Sequence, residues 1–215
     1  MHRYDPARQR LAIGLAGLAG LVDATGFVVA GGYFTSFMSG NTTRMGVELV
    51  ERPALALAPL GLIACFVAGV IGGALLARRW RGRHKRALLG LVTALLGTAA
   101  ACLAAGQPIA FLALSASAMG FANNVFSRDG EVTVGVTYMT GALVRFGQGV
   151  AARLGGEPLA STRGYGLLWS ALALGAAAGG ALCAADRSLA AWASFAVATI
   201  LWLATLMIER EKIEA

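Results

Sequence analysis

Residues 34–46 read FTSFMSGNTTRMG and residues 135–147 read GVTYMTGALVRFG. Displaced by 101 positions, Met38, Gly40, Arg44 and Gly46 fall on Met139, Gly141, Arg145 and Gly147. By the same shift Phe37 and Ser39 fall on Tyr138 and Thr140, and Asp23 falls on Asn124. Each stretch is a polar island between long hydrophobic runs, the kind of place where membrane proteins hold their working groups. The echo and the runs together predict an all-α polytopic membrane protein built from a repeated unit.

The 215 residues are 57% hydrophobic and 13% charged, the latter about half the usual soluble fraction. The 29 glycines fall largely inside apolar runs, where small residues let bilayer helices pack closely. The net charge of +7 does not imply nucleic acid as a partner. Six basic residues, Arg78, Arg79, Arg81, Arg83, Lys85 and Arg86, cluster at the end of one hydrophobic run, which is the positive-inside pattern. Cys65, Cys102 and Cys183 sit singly in apolar runs and read as structural thiols.

Six charge-poor runs are expected to cross the membrane, at 11–33, 54–77, 87–106, 108–127, 164–185 and 188–208. The run at 11–33 has no clear cleavage site before it ends and reads as a retained first helix. With six crossings, Arg3, Arg8, Arg10, the 78–86 cluster, Arg153, Arg163, Arg210 and Lys212 share one side. That places both termini in the cytoplasm of a bacterial inner-membrane protein. Residues 1–106 and 107–215 then form two three-span repeats. An odd number of crossings turns the second upside down relative to the first. A weaker echo relates Ala68 and Gly72–Leu75 to Gly175 and Gly179–Leu182 at a shift of 107, with a longer loop around Gly155-Gly156-Glu157-Pro158 in between. The polar islands after spans one and four read either as broken, re-entrant helices or as amphipathic helices at the surface.

Asp23, in the middle of the first span, is the most informative single residue. A carboxylate there must face protein or water. It reads as a proton or cation site or a contact for a substrate amine; its structural alternative is a hydrogen bond to backbone or a neighbouring helix. Ser39 or Asn41 is expected to cap the helix that begins there. Arg44, mirrored by Arg145, can draw an anion to the helix start. Alternatively, Arg44 pairs with Glu48 one turn on or with Asp23. Arg145 has Asp129 and Glu131 within reach along the chain. Asn123, Asn124, Tyr138 and Thr140 complete a candidate binding set, the paired amides suiting carbonyl or amide recognition or the capping of a broken helix. The pairs Gly69…Gly73 and Gly175…Gly179 support close helix contacts, within one protomer or across a homodimer.

Enzymatic signals are poor. His2 and His84 are terminal or in the basic loop, and the chain has no HExxH, nucleophile elbow or P-loop. No metal-ligating spacing or cofactor fingerprint is present in the sequence.

The pieces Gly20-Leu21-Val22-Asp23-Ala24, Gly31-Gly32-Tyr33-Phe34 and Phe37-Met38-Ser39-Gly40-Asn41-Thr42, with Tyr138-Met139-Thr140-Gly141 and Arg145, resemble the YoaK-like family of bacterial inner-membrane proteins. Ser39 stands where that family usually has threonine, and keeps the hydroxyl. The resemblance spans essentially the whole chain and implies a multi-pass membrane protein; it supplies no catalytic residue. The expectation is a small-solute transporter or facilitator. Asp23 would be its coupling charge, Arg44 and Arg145 would attract a polar or anionic solute, and Ser39, Asn41, Asn123, Asn124, Tyr138 and Thr140 would shape the site. The alternative is a membrane scaffold or lipid-binding protein.

Overall fold

The structure, a computed structural model, describes residues 5–80, 84–128, 131, 132, 135–156 and 163–210. Helix α1 (Pro6–Ala30) starts where Asp5 accepts the Arg8 amide at 2.9 Å and Pro6 supplies the fixed φ of a first helical residue. It ends at Gly31, whose φ of 67° suits glycine. Helix α2 (Met38–Glu51) is short and amphipathic. A 3₁₀ turn, Pro53–Ala56, feeds α3 (Leu57–Arg79), and α4 (His84–Ala104) follows. Helix α5 (Pro108–Ala122) leads to a two-strand antiparallel hairpin, β1 (Ser127–Arg128) and β2 (Glu131–Val132), with Ser127 opposite Val132 and Arg128 opposite Glu131. Then come α6 (Met139–Leu154), α7 (Arg163–Ala185) and α8 (Arg187–Arg210).

Five helical stretches among the described residues are long and apolar enough to cross a bilayer: Pro6–Ala30, Pro53–Arg79, His84–Ala104, Gly164–Ala185 and Arg187–Ile208. The fourth expected span, 108–127, is helical for only 15 residues, about 22 Å at 1.5 Å per residue. The two asparagines end it. Asn123 Nδ2 donates to Met119 O at 3.0 Å and Asn124 Nδ2 to Gly120 O at 3.3 Å. Beyond them the amide bonds tighten, Asn124 N to Phe121 O and Val125 N to Ala122 O, and the chain turns into the hairpin. The loop residues Arg81, Arg83, Asp129, Glu157 and Pro158 and the terminal Arg3 and Lys212 lie outside the described residues.

The helices pack in a repeat-like way. The two most extensive pairings are α1 on α7 and α3 on α5, and α4 lies against α8. Exchanging α1 with α5, α2 with α6, α3 with α7 and α4 with α8 maps these pairings onto one another, and maps α2–α3 onto α6–α7. The atoms agree. A methyl group on Gly20 would run into Leu172 O and lie 2.9 Å from Ala176 N; one on Gly120 would run into Phe66 O and lie 2.8 Å from Val70 N. One on Gly175 would meet Gly17 O, and one on Gly69 would meet Ser117 O. All four glycines are therefore used where backbones of this one chain touch. Both GxxxG pairs face inward in this way, since Gly73 abuts Asn124 and Gly179 abuts Leu21 and Ala24.

These contacts correct the expected register. Gly17 and Gly20 are equivalent to Ser117 and Gly120, an offset of 100 rather than 101; Phe66, Gly69 and Val70 are equivalent to Leu172, Gly175 and Ala176, an offset of 106 rather than 107. The offset of 101 holds at α2 and α6. Their N-caps, Phe37 (φ −87°, ψ 75°) and Tyr138 (φ −88°, ψ 60°), share a conformation. Met38 N donates to Ser36 O and Met139 N to Thr137 O, both at 3.1 Å. One extra residue is thus absorbed between α5 and α6. The position equivalent to Asp23 is Asn123, not Asn124.

A candidate ligand cavity between the two echoed segments

The connection from α1 to α2 is built on Asp23. Its Oδ1 accepts the Thr35 amide (2.8 Å), the Thr35 hydroxyl (3.1 Å) and the Ser36 amide (2.6 Å); its Oδ2 accepts the Ser36 hydroxyl (2.6 Å). Thr35 and Ser36 are buried, so each amide needs a partner inside the fold. The second half holds a plainer version: the Thr137 hydroxyl, equivalent to Ser36, donates to Asn123 Oδ1 at 3.2 Å. Asn124 turns away and donates to Val70 O on α3 at 3.1 Å.

Asn41 fastens the same loop from the other side. Its Oδ1 accepts the Phe34 amide at 2.9 Å and its Nδ2 donates to Phe34 O at 2.7 Å. It is fully buried and does not cap α2. Ser39 does not cap it either: α2 begins one residue earlier, at Met38, so Ser39 sits exposed in the first turn.

The arginines sit apart from Asp23. Arg44 lies over the Tyr33 ring, 5.4 Å from its centroid, and Gly32 lacks the side chain that would block the guanidinium. The expected Arg44–Glu48 pair does not form. Glu48 Oε1 accepts the Tyr33 hydroxyl at 2.6 Å, and Oε2, buried, accepts no hydrogen bond. Burial first, then the bond to Glu48 and its charge, push the Tyr33 phenol above its ordinary range. Arg145 is exposed, donates to the Tyr165 hydroxyl at 2.6 Å and lies 5.1 Å from that ring's centroid. Asp129, one of its expected partners, lies outside the described residues, as does the Glu131 side chain.

A cavity of about 580 Å³ opens between α1, the 31–37 loop, the start of α6 and α7, well inside the range of small-molecule sites. Phe34 and Phe37 come to it from the first echoed segment; Thr137, Met139, Thr140 and Leu143 come from or beside the second. Asp23, Phe27 and Val28 on α1 and Trp169 and Leu172 on α7 add the remaining side walls. Of the nine residues expected to form a site, Asp23 and Thr140 line it. Ser39, Asn41, Arg44, Asn123, Asn124, Tyr138 and Arg145 do not: Tyr138 is exposed at the α6 start, and the rest hold the cavity's elements or face elsewhere.

Sequence reasoning missed the Thr35–Ser36 pair, Thr137, Tyr165 and Glu48 as Tyr33's partner. Three of these residues had a signal. Ser36 and Thr137 are hydroxyls one echo apart, and Asn41 and Glu48 are seven residues apart, hence on one buried face of α2.

Residues 11–207 match the model of a family described as "Protein of unknown function (DUF1275)". The chain is 37% identical over 211 residues to the UPF0700 transmembrane protein RA0705 of Rhizobium meliloti (strain 1021), covering 94% of this chain and 91% of that one. No solved structure matches.

Proposed function

Because the chain belongs to the YoaK-like DUF1275 family of multi-pass membrane proteins, whose function its name leaves open, we propose from its own cavity that it is a small-solute transporter or facilitator of the bacterial inner membrane. The observation that carries this reading is the cavity itself. It lies between the two echoed segments, where transporters made of inverted repeats hold their substrates. In this reading residues 1–106 and 107–215 are the two repeats, inverted relative to each other. Helix α5 and the turn after it make the sixth crossing, and both termini are cytoplasmic. The exchange symmetry of the helix pairings supports the two-repeat division, and the distribution of arginines and lysines supports the orientation.

Asp23 is the coupling residue in this reading. It faces the cavity and also holds the 31–37 loop, so a change in its charge or ligand is felt by the wall that Phe34 and Phe37 form. Arg44 and Arg145 hold α2 and α6 to tyrosines and take no part in the cavity lining.

A second reading, a lipid-binding protein or membrane scaffold, is favoured by the outward apolar faces of α2 (Val47, Leu49, Val50) and α6 (Val144, Phe146, Val150, Leu154). Cysteine accessibility separates the two. Thr140→Cys, in a chain whose Cys65, Cys102 and Cys183 are replaced by alanine, is treated with a membrane-impermeant maleimide in right-side-out and inverted vesicles. Transport requires labelling from both faces. Labelling from one face only would leave the scaffold reading.

A further inference from the structure

We propose that the cavity takes an organic ammonium ion, held among aromatic rings beside the Asp23 carboxyl group. The proposal rests on the cavity being the ligand site, and deepens that reading by naming the ligand's chemistry.

Four aromatic side chains line the cavity: Phe27, Phe34, Phe37 and Trp169. The three phenylalanines form a continuous row. Phe27 and Phe34 have centroids 5.1 Å apart at 40°, and Phe34 and Phe37 have centroids 5.2 Å apart in an edge-to-face contact at 86°. Ring faces carry the negative part of a quadrupole and attract a cation within about 6 Å; aromatic cages are the usual hosts of substituted ammonium groups.

Asp23 brings an ionisable carboxyl group to the same space. Its four donors are two amides and two hydroxyls, all neutral, so they solvate the carboxylate without cancelling it. Among the described residues no lysine or arginine lies within ion-pair distance of it; Arg44, the natural candidate, is engaged with Tyr33. The four bonds are unevenly shared. Oδ1 accepts three and Oδ2 one, so Oδ2 retains acceptor capacity for a ligand N–H. The other described lining side chains with polar atoms are Thr137, Thr140 and the indole of Trp169, and none of the described lining residues is cationic. An anion would meet an acidic side chain and aromatic rings. A cation with an apolar body meets complementary charge and complementary surface, and supplies the counter-charge that a carboxylate within a membrane segment calls for.

The test is equilibrium binding to the purified full chain in mild detergent, by calorimetry. The probes are benzyltrimethylammonium, neutral phenylacetamide and anionic phenylacetate. The cation is expected to bind saturably and roughly tenfold or more tighter than the other two. In Asp23→Asn the preference for the cation over phenylacetamide is expected to fall roughly tenfold. If that variant does not fold, Phe34→Leu combined with Phe37→Leu carries the test, because the cation preference should shrink while apolar burial remains. Equal binding of the three probes, tighter binding of phenylacetate, no saturable binding of the cation, or an unchanged preference in the phenylalanine variant overturns the proposal.

Nanodiscs then identify the source of the ammonium. Phosphatidylethanolamine that displaces the probe where phosphatidylglycerol does not supports a lipid headgroup as the ligand. A probe that stays bound in both supports a free solute. Cation binding without counterflow of the labelled cation in proteoliposomes overturns the transport reading alone. Labelling of Thr140→Cys from both faces without cation binding overturns the ligand class alone.

Discussion

Asp23 and Ser36, 13 residues apart in the chain, are joined twice: the Ser36 amide donates to one carboxylate oxygen and its hydroxyl to the other, each at 2.6 Å. The pair turns the end of the first span into a fixed wall of the cavity. It also gives a residue expected to carry chemistry a second task, holding the backbone that follows it.

The first prediction concerns that task. Asp23→Ala leaves the buried Thr35 and Ser36 amides without their acceptor and should cost on the order of 3 kcal/mol. Ser36→Ala removes one hydroxyl donor and should cost about 1 kcal/mol. Unfolding of the detergent-solubilised variants measures both. Equal, negligible losses would mean that the loop is held by something else.

The second concerns close packing. Gly20→Ala, Gly120→Ala and Gly175→Ala each drive a methyl group into a backbone carbonyl of the facing helix, and should each destabilise by about 1–3 kcal/mol. Gly141→Ala meets nothing within 4 Å and should stay within about 0.5 kcal/mol of the parent. The same melting series decides it; a Gly141 variant as unstable as the others would refute the assigned helix contacts.

Tyr33 and Glu48 supply a third. Tyr33→Phe strips buried Glu48 of the hydroxyl it accepts from and should cost on the order of 1–3 kcal/mol. The phenol's folded pKa is raised above its unfolded value near 10, so its contribution is fully present below about pH 10 and is lost as the pH climbs through the folded value. The stability gap between parent and variant should therefore be flat from about pH 6 to about pH 9 and close in stronger alkali. A gap that narrows between about pH 6 and about pH 9 would contradict the assignment.

A fourth prediction tests the register. Asn124→Asp sets a carboxylate against Val70 O and Gly120 O and loses both bonds its amide donates. Asn123→Asp loses the bond to Met119 O but keeps the Thr137 hydroxyl as donor, in the arrangement that Asp23 has with Ser36. Asn123→Asp should therefore be the milder change. If thermal unfolding ranks them the other way, the sequence offset of 101 describes the first helices better than the glycine contacts do.

Much of the fold was legible because a bilayer core excludes unpaired backbone and charge, which leaves long apolar runs in the chain. α3, α4, α7 and α8 fall close to the runs expected for them. α5 was overread. Composition alone carries the apolar run to residue 127, but Asn123 and Asn124 spend their side-chain amides on helix carbonyls and the backbone turns. The site was only partly legible. Polar side chains in an apolar chain mark where something polar happens, but Asn41 with its two bonds to Phe34 and Asp23 with its four bonds look alike in sequence, and only Asp23 faces the cavity.

By itself the sequence determined a membrane protein of helices with two related polar stretches, because hydropathy and letter identity are properties of the chain taken one residue after another. Tertiary structure decided which residue stands for Asp23 in the second half, that Arg44 and Arg145 go to tyrosines, and that the cavity is walled mainly by aromatic and aliphatic side chains around one carboxylate. Those outcomes depend on where backbones can touch. Glycines let α1 settle on α7 and α3 on α5 at one depth, and that depth, set between helices far apart in the chain, shifts the register by a residue and selects which side chains share a space.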